Sequence, residues 1–109
     1  MRNNARNELL ENKLKGWFEA TGEMLFARAT KLARKGKYIQ AEKILELLSA
    51  NSRPPAKVPL LLGKIYAQQS RYGDAIVQWQ RALETEPKNA EAQSAINRAE
   101  QEMQREEGI

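Results

Sequence analysis

Apolar residues recur along the whole chain at spacings of three to five, and no stretch alternates strictly as a half-buried strand would. The first stripe, over about residues 4–18, joins Ala5, Leu9, Leu10, Leu14, Trp17 and Phe18. Thr21 and Gly22 interrupt it. Met24, Leu25, Ala29, Leu32 and Ala33 then form a second stripe, which stops at Lys35-Gly36-Lys37. Tyr38, Ala41, Ile44, Leu45 and Leu48 mark a helix over about 38–50, ended before Pro54-Pro55 because successive prolines cannot continue one. A fourth helix begins near Pro59, whose missing N–H is no loss in a first turn, and runs through Leu61, Leu62, Ile65 and Tyr66 to Ser70. Tyr72-Gly73-Asp74 reads as the next turn, with Ala75, Ile76, Trp79, Ala82 and Leu83 on a helix over about 73–85. Asn89 suits an N-cap for a last helix over about 90–107, whose stripe of Ala92, Ala95, Ile96, Ala99 and Met103 is thin and whose C-cap would be Gly108. The pattern predicts an all-α chain with turns at about 35–37, 51–57, 71–73 and 86–89.

Two of these helical hairpins follow one another at a constant offset. Tyr38 and Tyr72 differ by 34 positions, as do Ala41 and Ala75, Leu32 and Tyr66, Ala29 and Gly63, Leu45 and Trp79, and Leu48 and Ala82. The second unit reads Leu62-Gly63-Lys64-Ile65-Tyr66, then Ala75-Ile76-Val77-Gln78-Trp79, then Pro87. It resembles the tetratricopeptide repeat (TPR), a helix–turn–helix unit of 34 residues with that succession of Leu-Gly, Tyr, Ala, aromatic and Pro. Pro59 departs from the pattern, standing where the family prefers Trp or Leu. The first unit is a degenerate copy, in which Ala29, Leu32 and Leu45 replace the glycine, tyrosine and aromatic.

The resemblance implies antiparallel helical hairpins stacked as a short right-handed solenoid. Residues 1–20 would be an N-terminal amphipathic helix, 21–89 two repeats (about 22–55 and 56–89), and 90–109 a polar capping helix and tail. Small residues at Ala29, Gly63, Ala41 and Ala75 would let the helices of a hairpin approach closely, with Leu32, Leu45, Tyr66 and Trp79 filling the wider space between hairpins. Trp79, near the C-terminal end, is the large core residue expected to keep most exposure. Two repeats fall below the ~3 usually needed for independent stability, so assembly with other chains is the alternative to a free-standing module.

Composition narrows the function classes. The chain has no histidine and no cysteine. It therefore lacks the commonest general base, the commonest metal ligand, thiol chemistry and disulfides, which argues against an enzyme and against a bound cofactor or metal. Carboxylates two apart, such as Glu84 and Glu86, diverge on a helix and make no acid/base pair. The tail from Glu102 to Glu107 reads as the outer face of the cap. The longest apolar stretch, Val58 to Gly63, is far below the ~20 residues of a spanning helix, and the first residues are charged rather than of signal-peptide type. A cytoplasmic location is the resulting expectation. Residues 1–58 hold twelve Lys/Arg against six Glu, and 59–109 hold six against eight acids. The basic run Arg28 to Lys37 could meet phosphates, but it has no interleaved exposed aromatics, and cations near a helix C-terminus are favoured by the dipole alone. Nucleic acid or an anionic membrane surface is the disfavoured partner.

In TPR arrays the first helix of each pair lines a concave groove. Carried over, that geometry places on the wall Glu23, Phe26, Ala27, Thr30, Ala33 and Arg34; Lys57, Leu60, Leu61, Lys64, Ala67 and Gln68; and Glu91, Ser94, Ala95, Arg98 and Gln101. The partner-binding candidates are Phe26, Thr30, Arg34, Lys57, Leu60, Leu61, Lys64, Gln68 and Arg98. A clamp that some TPR proteins use for chaperone C-termini is not reproduced, since Thr30 stands where it needs asparagine. The leading expectation is a non-enzymatic adaptor that holds a peptide or helix of another protein in this groove. The runner-up is a structural or self-associating subunit, a homo-oligomer or part of a larger assembly, docking through Leu10, Leu14, Trp17 and Phe18.

Overall fold

A computed structural model of the chain describes Leu9, Lys13, residues 21–50 and residues 54–108. Within those residues the chain is helical and contains no strand. The helices are α1 (Glu23–Arg34), α2 (Tyr38–Ser49), α3 (Lys57–Gln68), α4 (Tyr72–Thr85) and α5 (Ala90–Glu107). Each packs on its neighbour in sequence, and α1 also touches α3. The result is a TPR-like helical solenoid of two hairpins, α1–α2 and α3–α4, followed by α5.

The repeat extends to the core and to the backbone hydrogen bonds. Ala41, Leu45 and Leu48 are the fully buried residues of α2, and Ala75, Trp79 and Ala82, each 34 positions later, are those of α4. Both hairpin turns are Schellman motifs. In the first, Lys37 N–H donates to the Leu32 carbonyl at 2.9 Å and Gly36 N–H to that of Ala33 at 3.0 Å. In the second, Arg71 N–H donates to Tyr66 and Ser70 N–H to Ala67, both at 2.9 Å. The left-handed residue is Gly36 at φ 76° in one turn and Ser70 at φ 60° in the other.

That geometry corrects one predicted boundary. The second turn lies at Gln69–Arg71 rather than 71–73, and α4 already begins at Tyr72. Gly73 suggested the turn, but it sits inside the helix, and Ser70 carries the positive φ that a glycine would ordinarily supply. The turns at 35–37 and 86–89 fall where the sequence puts them; of the stretch 51–57, residues 51–53 lie outside the described residues and α3 starts at Lys57. Pro59 is therefore the third residue of α3, and it is buried there. The first four N–H groups of a helix have no internal partner, so the ring costs no hydrogen bond. Asn89 is the N-cap of α5, its side chain accepting from Ala92 N–H at 2.9 Å.

Within the second hairpin the helices meet through a glycine and an indole. A Cβ on Gly63 would lie 2.4 Å from Trp79 Nε1 and 2.7 Å from Cδ1, closer than any side chain tolerates. With no Cβ present, the ring lies against the α3 backbone and its Nε1–H donates to the Leu60 carbonyl at 3.2 Å. Trp79 is only 4% exposed, so the expected leakage at the C-terminal end is wrong. At the corresponding positions of the first hairpin stand Ala29 and Leu45, both fully buried, one methyl more on the first helix and a smaller side chain on the second.

Gly63→Ala is expected to destabilise the chain by about 1–3 kcal/mol through overpacking, measured by urea unfolding, and to cost clearly less in a Trp79→Leu background, where the first hairpin's pairing is restored. An equal cost in both backgrounds would contradict the Gly63–Trp79 contact as its cause. At the turns, Gly36→Ala should cost about 1 kcal/mol although nothing lies near the new methyl, whereas Ser70→Gly should be neutral or stabilising by up to about 1 kcal/mol. Thermal melts of the two variants moving in the same direction by similar amounts would contradict the shared turn geometry.

Candidate partner-binding groove

Two ion pairs tie the first helices of successive units into one wall. Lys57 Nζ of α3 lies 2.5 Å from Glu23 Oε1 of α1, and Lys64 of α3 pairs with Glu91 of α5. Glu23, Lys57 and Glu91 occupy equivalent positions, spaced by 34. At the α1 end of the wall Lys57 Nζ also sits 4.9 Å above the Phe26 ring, a cation–π contact.

At the other end the wall opens into a cleft of about 620 Å³ between α3 and α5. Lys64, Ala67 and Gln68 line it from α3, Tyr72 and Trp79 from α4, and Ala90, Glu91, Ser94, Ala95, Arg98, Ala99 and Glu102 from α5. A volume of that order, walled by alanine and aromatic surface with a few polar groups, is typical of sites that hold a ligand or an anchoring side chain. Its alanines keep α5 from filling the space that Trp79 and Tyr72 underlie.

The groove candidates read from the sequence are dispersed along this wall. Lys64, Gln68 and Arg98 come together at the cleft. Phe26 and Lys57 meet at the far end. Leu60 and Leu61 are half-buried, and the Leu60 carbonyl is the acceptor for Trp79. Thr30 turns back on its own helix, its hydroxyl donating to the Phe26 carbonyl at 3.0 Å. Arg34 is exposed. Leu10, Leu14, Trp17 and Phe18 lie outside the described residues. Sequence reasoning missed Tyr72, Trp79, Ala90, Ala99 and Glu102 as cleft residues. The two aromatics belong to the second helix of their hairpin, where the sequence reading puts Trp79 in the core and Tyr72 in the turn, and Glu102, taken for the outer face of the cap, is half-buried at the cleft.

On another side of the molecule, α2 and the second hairpin share a polar seam. Glu42 accepts from Arg71 Nη1 at 2.9 Å and from Gln69 Nε2 at 3.3 Å, and Tyr66 Oη donates to Glu46 Oε1 at 3.1 Å. The Arg71 guanidinium lies 4.3 Å over the Tyr66 ring. Burial, reinforced by the hydrogen bond to Glu46, pushes the Tyr66 phenol up to about 12. Each of these side chains is engaged within the chain, so the seam is structural.

A family model described as TPR repeat matches residues 63–96, from Gly63 through α4 into α5. That match and the five-helix architecture fit a TPR-like protein. The match runs from Gly63 in α3 through α4 and takes in the cleft residues Ala90, Glu91, Ser94 and Ala95 of α5, whereas Arg98, Ala99 and Glu102 lie beyond it. No curated protein matches the chain. TPR repeats typically mediate binding to other proteins and are non-enzymatic, and the match supports a protein–protein interaction module in general terms. No described helix is long and apolar enough to cross a membrane.

Because the folded chain raises the Tyr66 pKa above the ordinary value of 10, the neutral phenol's contribution to stability is complete below about pH 10 and is lost as the pH climbs through about 12. Phenolate absorbance should therefore show one tyrosine titrating near 12, and Tyr66→Phe should remove that step. A Tyr66→Phe variant that keeps the late step would contradict the assignment.

Proposed function

We propose that this TPR-like chain is a non-enzymatic adaptor that holds a peptide or helix of a partner protein along the α1–α3–α5 wall, anchored in the cleft between α3 and α5. The observation that carries the reading is the cleft itself, a hollow with apolar walls on a face otherwise closed by ion pairs, in a fold whose general role is protein binding. A few anchors at such a place supply most of the affinity. Phe26, Thr30, Arg34, Lys57, Leu60 and Leu61 extend the contact surface beyond the cleft, and Lys64, Gln68 and Arg98 form its rim.

The second reading, self-association or assembly through the N-terminal segment, draws support from Leu9, which is 57% exposed and belongs to that segment's apolar stripe. A third, an anionic surface, would use Arg28, Lys31, Arg34, Lys35 and Lys37, all exposed along α1 and its turn.

With a partner isolated by affinity capture, Lys64→Glu, Arg98→Glu and Leu61→Ser should each weaken its binding, while the two charge reversals leave stability within about half a kcal/mol. Reversing Lys31, Lys35 and Lys37 together should matter much less. Equal losses from both sets with a steep salt dependence would replace the groove by the anionic-surface reading. Unchanged affinity in all groove variants, with loss on deletion of residues 1–18, would replace it by docking through the N-terminal segment.

A further inference from the structure

The cleft carries a charge that no described residue answers. Both carboxylates facing it are already paired, Glu91 with Lys64 and Glu102 with Arg105 at 3.0 Å. Lys64 is engaged by Glu91, whereas the exposed Arg98 makes no hydrogen bond or ion pair among the described residues. Beneath Arg98 the lining is apolar: Ala67, Ala95 and Ala99 beside Tyr72 and Trp79. The Trp79 N–H is committed to the Leu60 carbonyl, so the indole offers this space carbon surface and no donor.

We propose that the partner segment held in this cleft presents a bulky apolar side chain next to an acidic one, the first seated over Trp79 and the second received by Arg98, an assignment resting on the groove function proposed above. A guanidinium accepts a carboxylate in a fixed two-pronged geometry, so Arg98 would select for an acid at one position relative to the anchor. With Lys64 compensated by Glu91, a basic residue at that position would meet Arg98 as a like charge, which disfavours it there. The hollow sets the other half of the rule: polar side chains placed over the indole would lose water and gain no hydrogen bond from it, its N–H being already taken.

The test uses the whole chain and a phage-displayed library of short random peptides, followed by affinity measurement on the synthesised winners. Peptides enriched on the wild-type protein should carry an aromatic or aliphatic side chain within one helical turn of Asp or Glu. Exchanging that acid for its amide, or making Arg98→Gln, should each weaken binding about tenfold, and the two changes together should cost little more than either alone. Selection on Arg98→Glu should switch the neighbouring residue to Lys or Arg. Ala95→Leu, which fills the hollow without altering charge, should abolish binding, with circular dichroism confirming the fold.

Winners that depend on Ala95 but lack an acid, or that ignore Arg98, would overturn the assignment and leave the groove function standing. Winners indifferent to both Ala95 and Arg98, or no winners at all, would overturn both. A synthetic peptide of residues 4–19 that displaces every winner would make the chain's own N-terminal segment the occupant and likewise overturn the assignment to a separate partner.

Discussion

The absence of a side chain at Gly63 governs how the second half of this molecule is put together. It lets the Trp79 ring lie on the backbone of α3 and reach the Leu60 carbonyl, which brings α3 and α4 together face to face and buries the largest aromatic among the described residues. The floor of the cleft follows from that contact, because the indole that joins the two helices also forms the surface beneath α5. Were a methyl at position 63, it would clash with the ring, and the contact that joins the two helices would have to give way. The first hairpin meets the same demand with Ala29 and Leu45, a smaller pair at the same two positions.

Between the hairpins the stabilising contacts divide by side. Apolar residues of α2 and α3, including Leu45, Leu48, Val58, Leu62 and Ile65, are buried together in the core, and burial of such side chains is worth ~1.5–3 kcal/mol each. The polar contacts lie at the margins: Glu42 and Glu46 with Arg71, Gln69 and Tyr66 on one seam, Glu23–Lys57 and Lys64–Glu91 on the other. Exposed ion pairs contribute little energy. Their effect here is on register, since each joins residues of successive units and is satisfied at only one relative position of the helices.

Much of the fold was legible in the sequence because a repeat shows each position twice. The offset of 34 paired Ala41 with Ala75 and Leu45 with Trp79, and those pairs are the buried residues of α2 and α4. The second turn was misplaced because its left-handed residue is a serine, which leaves no compositional mark, while Gly73 leaves one without needing it. The site was less legible. Lys64, Gln68 and Arg98 were found from the face of the helix they occupy, but Trp79 and Tyr72 were not, because a core aromatic becomes a cleft floor only through the spacing of three helices that no single periodicity encodes. The pairing of Lys64 with Glu91, and hence the isolation of Arg98, likewise depends on how far α5 stands from α3.

A face that carries the Glu23–Lys57 pair at one end and the cleft over an indole at the other gives this TPR-like chain a polarity along its groove. The most direct measurement is two-dimensional amide NMR of the full chain, titrated with a bound peptide, following the Trp79 indole N–H beside the backbone signals. Occupation of the cleft predicts the largest shifts at that indole and at Lys64, Gln68, Ser94 and Arg98, with the Arg28 to Lys37 stretch nearly unmoved. A Trp79 indole signal that stays in place while the α1 turn or residues 1–20 shift would contradict the account.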